Sequence, residues 1–332
     1  MCTLGWKSIS QLLSLLCAAT LMGAQPKVIT LPELRQIITE SQESAATSHL
    51  VYIEEINDNR LIAANGNTYR YKEEIDKIRK HRCTKIDAIV DCKAKSVKSV
   101  LTDLRDVDAL LKENHLPPEQ KINVSESRIV LHQDTYEMQF TGADVSNGPP
   151  ELDIFERPDL ANYMFRMSSL GVINKKLLSE DRIPTLTQID LGGRHLLCIQ
   201  LTIKGQESLS ATVKIECDPS LGYRFRRIQR YSEGRLIAET TADDYRDVNG
   251  VPYPFLYVER SFDKDGKICR ETKYVFEDVK LGVDLSANDF KIFVPAGTNI
   301  TDAVVAMTAY KVKQSAYMGI DDVLGMGIKR LY

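Results

Sequence analysis

Three two-residue turn signals follow one another in the second half of the chain. Glu233-Gly234, Asn249-Gly250 and Asp265-Gly266 each separate two runs with the residue pattern of a strand. Such dipeptides favour tight hairpin turns, and a tight turn fixes which residues face each other across the two strands. Together with the surrounding pattern they predict a meander of five or six antiparallel strands over residues 195–280.

The three turns also predict the register of this meander. The first turn pairs Tyr231 with Leu236. The second pairs Ala242 with Tyr257, and the third pairs Tyr257 with Tyr274. All three registers place one mainly aromatic set of residues on a single face of the sheet: Tyr223, Phe225, Tyr231, Leu236, Ala238, Ala242, Phe255, Tyr257, Tyr274 and Phe276.

Arg227 falls on this aromatic face, among residues that would be buried. We interpret its position as a sign of a β-bulge or of a side chain that extends its charge to water. The opposite face of the predicted sheet is mostly charged, as expected for a face in contact with solvent.

The same alternation bears on the cysteines. It places Cys198 and Cys217 on opposite faces of neighbouring strands, which disfavours a bond between them. Cys83 and Cys92 flank the segment TKIDAIVD, and we predict that they form a local disulfide in an oxidising compartment. His81 with these two cysteines lacks a fourth ligand at the usual spacing, so no metal site is predicted.

The N-terminus has the pattern of a secretory signal peptide. Lys7 precedes a mostly apolar run over residues 9–22, and small residues follow as far as Ala24. We predict a signal peptide over residues 1–24, cleaved after Ala24. The run of roughly 14 residues is shorter than the ~20 of a membrane-spanning helix, and no later run is longer. We expect a periplasmic or secreted protein with no transmembrane segment in its mature chain.

Other elements are predicted from local signals. Thr30 and Glu33 have the spacing of a capping box, which predicts a helix over about 31–46. Apolar residues at spacings of three and four predict an amphipathic helix over 94–113. Alternation predicts strands over 49–56, 128–140 and 184–191. The segments 71–93 and 303–332 give no clear prediction.

Composition and motifs exclude several function classes. The net charge of −3 and the pI near 6.0 argue against a nucleic-acid-binding protein, which normally carries a basic excess. The chain has no glycine-rich phosphate loop, no nucleophile elbow and no H-E-x-x-H motif. Its five histidines show no repeated spacing to a serine or cysteine. We therefore predict no enzyme activity, no cofactor and no metal.

An apolar ligand agrees with this lack of catalytic motifs. The small residues Ala238 and Ala242 would leave a trough between larger rings, in which a hydrocarbon chain could lie. Each buried methylene contributes ~0.8 kcal/mol, so half of a 16-carbon chain would contribute roughly 6 kcal/mol. The alternative is that helix 31–46 or helix 94–113 fills this trough as ordinary core.

The segment 217–302, about a quarter of the chain, resembles the periplasmic lipoprotein-sorting (LolA-like) superfamily. The resemblance is carried by these stretches: Cys217-Asp218-Pro219, the acidic and aromatic DYRDVNGVPYP, Phe276-Glu277-Asp278-Val279, Asn288-Asp289-Phe290, and Pro295 with Gly297, Thr298, Thr301 and Asp302. It implies an α+β fold, in which a curved antiparallel sheet, an incomplete β-barrel, has helices packed on its concave face. Residues 25–332 would form one such domain, with a helical, charged insertion around 71–116.

The resemblance further implies an exported carrier for lipid or lipoprotein acyl chains that takes part in outer-membrane biogenesis without catalysis. The expected ligand-binding residues are Phe225, Tyr231, Ala238, Ala242, Phe255, Tyr257, Tyr274 and Phe276. One alternative is an envelope module that binds a protein partner and has a filled core. A third is an unidentified envelope hydrolase.

Overall fold

The structure is a computed structural model. It describes residues 29–43, 45–59, 81–105, 109, 112–113, 127–142, 150–156, 167, 170–171, 173, 184–204, 210–302, 304, 308–331. The predicted signal peptide, residues 1–24, lies outside the described residues.

One large curved sheet dominates the described part of the chain. Its strands, with those of a small second sheet, are β1 (Thr47–Asp58), β2 (His81–Asp91), β3 (Ser96–Asp103), β4 (Ser127–Gln133), β5 (Tyr136–Thr141), β6 (Glu151–Glu156), β7 (Thr185–Leu191), β8 (Arg194–Lys204), β9 (Ser210–Asp218), β10 (Arg224–Ser232), β11 (Arg235–Val248), β12 (Val251–Phe262), β13 (Ile268–Leu281), β14 (Ile292–Val294), β15 (Asn299–Asp302), β16 (Thr308–Lys311) and β17 (Ala316–Met318).

Fifteen of these strands pair in the order β16-β15-β6-β5-β4-β3-β2-β1-β13-β12-β11-β10-β9-β8-β7, while β14 and β17 form the two-stranded sheet. Neighbours are antiparallel except for β15 and β6, which are parallel. The pairing of β1 with β13 joins the first half of the chain to the meander. Strands β16 and β7 are the two edges, so the sheet is open across the described residues. The predicted curved antiparallel sheet is confirmed.

Two helices have described bounds, α1 (Leu31–Glu43) and α2 (Ile320–Leu331). The predicted capping box begins α1. The backbone N–H of Thr30 donates to Oε2 of Glu33 at 2.9 Å, and the backbone N–H of Glu33 donates to Oγ1 of Thr30 at 3.4 Å. This arrangement satisfies donors that a helix start leaves unpaired. The predicted helix is confirmed, although it ends at Glu43.

Two hydrophobic clusters lie on the large sheet. The first contains residues of β1–β3 and β8–β13, together with Leu34 and Ile38 of α1. The second contains residues of β4–β6 and β15, together with α2 and the β14–β17 pair. Of the two helices with described bounds, α1 alone contributes to the first cluster. The packing of several helices on a concave face stays a prediction.

Most of the predicted strands are confirmed. The segment 195–280 forms six consecutive antiparallel strands, β8 to β13, and the strands predicted over 49–56 and 184–191 correspond to β1 and β7. The single strand predicted over 128–140 is wrong. It is the hairpin of β4 and β5, turned at Asp134, whose φ is +54°. The turn was missed because Asp134-Thr135 contains no glycine.

The amphipathic helix predicted over 94–113 is wrong for residues 94–105, whereas residues 109, 112 and 113 are helical and 106–108 and 110–111 lie outside the described residues. The helical character of the insertion is likewise wrong at residues 81–105. Strand β3 occupies 96–103 and pairs with β2 on one side and β4 on the other. Val97 and Leu101 lie on one face of this strand, while Val100 lies on the other. Apolar residues on both faces imitate helical spacing, whereas the β-branched valines favour a strand.

The disulfide predicted between Cys83 and Cys92 is wrong as well. Cys83 lies near the start of β2 and Cys92 directly follows its end, so an extended strand separates them. Nine residues of strand span about 30 Å, whereas a disulfide requires Cα atoms within about 7 Å. The two cysteines form no disulfide with each other in the structure. Sequence proximity was misleading because the intervening residues do not turn.

Candidate functional site

The second and third turns set the register as predicted. Ala242 lies opposite Tyr257, and Val248 lies opposite Val251, on either side of the Asn249-Gly250 turn. Tyr257 lies opposite Tyr274, as predicted. The third turn is wider than two residues, because the backbone N–H of Asp263 donates to the carbonyl of Lys267. A register shift next to this turn restores the predicted pairs.

The register of the first turn is only partly correct, because one bulge lies in β10 and another lies in β11. Tyr231 lies opposite Leu236 as predicted, but Arg230 lies opposite Ala238. On the other side Phe225 pairs with Cys217 and Arg227 pairs with Glu216, so one residue is left over between them. A bulge reverses the alternation of the residues that follow it.

The first bulge explains the position of Arg227. Its side chain lies on the face opposite the aromatic residues, where Nη2 donates to Oε1 of Glu216 at 2.7 Å and Nε donates to Oε2 at 3.0 Å. Ile228, which the sequence placed on the polar face, packs against the first hydrophobic cluster instead. The bulge interpretation of Arg227 is therefore correct.

The same bulges remove Tyr231 and Leu236 from the aromatic face, so their predicted placement there is wrong. Lys214 lies between Val213 and Ile215, which both point into the first cluster, so Lys214 lies on the other face. The Lys214 ammonium lies 5.3 Å from the centre of the Tyr231 ring. The Tyr231 hydroxyl donates to Oε1 of Gln229 on that same face.

The remaining predicted aromatics converge with two rings that the sequence analysis did not include. We call this group the aromatic cluster; all its members are buried, and they are Tyr52, Phe225, Tyr253, Phe255, Tyr257, Tyr274 and Phe276. The ring centroids of Tyr52 and Phe276 are 5.0 Å apart, and those of Tyr253 and Phe276 are 5.2 Å apart. Such distances are typical of favourable aromatic pairs. Tyr253 could have been found by its alternation with Phe255.

The aromatic cluster contains no charged side chain. The Tyr253 hydroxyl donates to the carbonyl of Met167 at 2.5 Å, and the Tyr257 hydroxyl donates to Oε1 of Glu259 at 3.1 Å. Burial raises the pKa of Tyr253 well above its ordinary value, and burial, followed by the nearby Glu54, raises the pKa of Tyr52. These phenols are therefore neutral at physiological pH.

Protein atoms cover the aromatic cluster in this conformation. Ala242, the floor of the predicted trough, is 2 % exposed and belongs to the same buried group as Leu34 and Ile38 of α1. Ala238 lies on the same sheet face and is half-buried. Three further residues of the group come from the segment between β6 and β7: Met167, Leu170 and Ile173.

A pocket of about 290 Å³ borders the aromatic cluster. Its described lining residues are Ile37, Glu40, Ser41, Leu221, Gly222, Arg224, Gly250, Val251 and Pro252. Ile37 and Val251 also pack against the first hydrophobic cluster, so the pocket and the buried rings share a wall. None of the eight predicted ligand-binding residues lines this pocket, and their role in binding stays a prediction.

Two tight turns shape the pocket. A short 3-10 turn, Pro219–Leu221, begins where Oδ1 of Asp218 accepts from the backbone N–H of Ser220 at 3.0 Å, and it ends at Gly222 with φ +63°. The Asn249-Gly250 turn has φ values of +55° and +80°. Gly250 donates its backbone N–H to Oδ1 of Asp247 at 2.9 Å. These turns bring β10 and β12 to the pocket at their first residues.

Two other kinds of feature were sought in the described part of the chain. No group of three or more His, Cys, Asp or Glu side chains there could hold a metal ion. No described helix has the length and apolar character needed to cross a membrane.

The fold is similar to solved structures of lipoprotein-sorting proteins. One is a putative outer membrane lipoprotein-sorting protein domain from Vibrio parahaemolyticus, with a TM-score of 0.41 and 9% identity, covering 78% of this chain and 97% of that one. Another is a LolA superfamily protein from Nitrosomonas europaea, with a TM-score of 0.38 and 12% identity, covering 76% and 94%. The MucA/MucB complex of Pseudomonas aeruginosa gives a TM-score of 0.27 and 10% identity, covering 77% of this chain and 60% of that chain.

No protein-family model matches the chain, and no curated protein matches its sequence.

Proposed function

We propose that this chain is an exported, non-catalytic carrier that binds the acyl chain of a lipid or lipoprotein against the aromatic cluster. In this proposal α1 is a displaceable cover, and the hydrocarbon takes its place on the sheet. The observation that carries the proposal is the contrast between the aromatic surface of the sheet and the surface of α1. Rings from β1, β10, β12 and β13 form the floor, whereas α1 contributes only two fully buried side chains, Leu34 and Ile38.

The free energy lost when α1 is displaced and the free energy gained when an acyl chain binds are of similar size. Exposing Leu34 and Ile38 would cost about 1.5–3 kcal/mol each, or about 3–6 kcal/mol together. Burying about eight methylenes of an acyl chain would return roughly 6 kcal/mol. A near balance favours a carrier, since a carrier has to release its ligand as well as bind it.

The exposed pair Phe293 and Tyr317 favours a second function, the binding of a protein partner. These residues lie opposite each other on β14 and β17, with ring centroids 5.3 Å apart, and they are 50% and 69% exposed. Exposed aromatic side chains are enriched where proteins bind each other. Their strand neighbours Ile292, Val294 and Met318 belong to the second cluster, so this surface is compatible with acyl binding on the first.

Native mass spectrometry of the protein purified from its own cell envelope tests the carrier function. We expect bound species that solvent extraction releases as fatty-acyl compounds. An unrelated exported protein, purified in the same way, controls for lipid that adheres non-specifically. A ligand-free mass in repeated preparations, combined with no uptake of added fatty acid, would contradict the proposal.

A further inference from the structure

Arg224 is the most buried arginine of β10, and it lines the pocket beside the aromatic cluster. The residue is 4% exposed. Its neighbours in the strand have acidic partners: Arg226 pairs with Asp218 at 3.1 Å and with Asp243 at 3.0 Å, and Arg227 pairs with Glu216 at 2.7 Å. The guanidinium of Arg224 makes no hydrogen bond or ion pair with any described residue.

A largely buried guanidinium without an ion pair is unfavourable, because it has lost most of its contact with water and gained no counter-charge. Burial lowers the pKa of Arg224, and the nearby Tyr245 and Tyr253 oppose this effect. Arginine nevertheless stays charged in proteins, so its charge calls for an anion. The pocket offers the space in which such an anion could lie.

The other lining residues limit the ligand to a single negative charge. Arg224 is the one cationic residue among the described lining residues, and the carboxylate of Glu40 lines the same pocket. A second negative charge on the ligand would therefore meet repulsion without a second cation. The volume, about 290 Å³, is at the small end of the range for ligand pockets and suits a head group.

We propose that Arg224 anchors the monoanionic oxyanion of an amphiphile, a carboxylate or phosphodiester, whose acyl chain passes Ile37 and Val251 to the aromatic cluster. The planar guanidinium matches such a group with two parallel hydrogen bonds. This inference rests on the proposed carrier function and adds the chemistry of the head group to it.

Calorimetric titration of the mature protein, freed of bound lipid, at pH 8 tests the anchor. The probes are dodecanoate, its uncharged methyl ester, and acetate. We expect wild-type protein to bind dodecanoate about 10- to 100-fold more tightly than the ester. Arg224→Met should remove this difference, while Arg224→Lys should retain part of it.

Three other outcomes would overturn the inference, and they can be told apart by which probes bind. If wild type and Arg224→Met each bound dodecanoate and the ester equally tightly, the anchor would be overturned but the carrier function would remain. Acetate binding as tight as that of dodecanoate would assign the pocket to small free anions instead of lipid head groups. Failure of both long-chain probes would overturn the anchor and the carrier together.

The stability of the ligand-free variant separates an anchor from a structural arginine. Because Arg224 makes no hydrogen bond or ion pair with the described residues, Arg224→Met should melt at or above the wild-type temperature. A clear fall in melting temperature, measured by circular dichroism, would show that Arg224 supports the fold instead. The comparison of dodecanoate with its ester in wild-type protein needs no variant.

Discussion

The displaceable cover makes an unusual prediction for Leu34→Ala in α1. Leu34 is fully buried against the first hydrophobic cluster. In an ordinary core this change costs about 2–5 kcal/mol and never helps a ligand. If α1 competes with the acyl chain, however, the change weakens the competitor. We therefore expect Leu34→Ala to raise the affinity for dodecanoate.

The size of this effect follows from the population of the open form. A cover held by about 3–6 kcal/mol is open in well under one molecule in a hundred, and the apparent dissociation constant is raised by the reciprocal of that open fraction. Losing about 2–3 kcal/mol of burial increases the open population about 30- to 150-fold. The apparent affinity should rise by the same factor until the open form predominates.

Calorimetry with dodecanoate and hydrogen exchange of the α1 amides are the measurements. Leu152→Ala is the matched control, because Leu152 is equally buried but belongs to the second cluster, together with β5, β6 and α2. It should lower stability without changing affinity. The cover would be refuted if Leu34→Ala bound dodecanoate no more tightly than wild type and behaved like Leu152→Ala.

Three further outcomes are expected. Ala242→Trp should abolish dodecanoate binding and speed hydrogen exchange of the α1 amides while the sheet stays folded. The control Arg235→Trp, at an exposed position, should change neither property. Global unfolding of Ala242→Trp would indicate a permanently filled core. Burial favours a higher pKa of Asp218, but hydrogen bonds from Ser220 and Arg226 outweigh it and lower that pKa. This carboxylate therefore stabilises the fold fully above its ordinary pKa of 3.8, and the stabilisation is lost progressively as the pH falls through the lower pKa of the folded state. Asp218→Asn should flatten that acid limb of the unfolding free energy, and an unchanged limb would exclude the contribution. Alkylation of denatured, non-reduced mature protein should label all five cysteines from Cys83 to Cys269; only three labels would restore the disulfide rejected above.

The parts of the fold that were predictable depend on neighbouring residues. The capping box of α1 involves four consecutive residues, and the Asn249-Gly250 turn sets the register of β11 and β12 without help from elsewhere. Cys198 lies opposite Glu216, and Cys217 lies opposite Leu197, so the two cysteines occupy opposite faces as predicted. In each case one turn or one alternation was sufficient.

The parts that were missed depend on contacts between distant segments. Tyr52 entered the aromatic cluster because β1 pairs with β13, which places it opposite Phe276. No turn joins these strands, so no local signal fixes their register. The bulges of β10 and β11 similarly depend on pairing between strands, and they place Arg227 and Tyr231 on the face opposite the aromatic cluster.

The pocket could not be predicted from the sequence for the same reason. Its walls come from α1, from the turn before β10 and from the turn before β12, which lie far apart in the chain. Arg224 looked like one more polar residue in an arginine-rich strand. Its distinction is that no acidic partner lies among the residues that the structure describes, and that is a property of the folded molecule alone.

The two ends of the aromatic cluster differ in a way that gives a bound amphiphile a direction. At the start of β12 lies the pocket with Arg224. Two residues beyond Tyr257, the same sheet face carries a polar row, in which Glu259 lies opposite Thr240 on one side and Thr272 on the other. The aromatic surface from Tyr253 to Tyr257 spans about 13 Å between these polar limits, and the guanidinium of Arg246 lies 4.1 Å from the centre of the Phe255 ring. A hydrocarbon chain would be stabilised along that length and would gain little beyond it, so the head group, with its own counter-charge at the pocket, would decide which end of the ligand enters first.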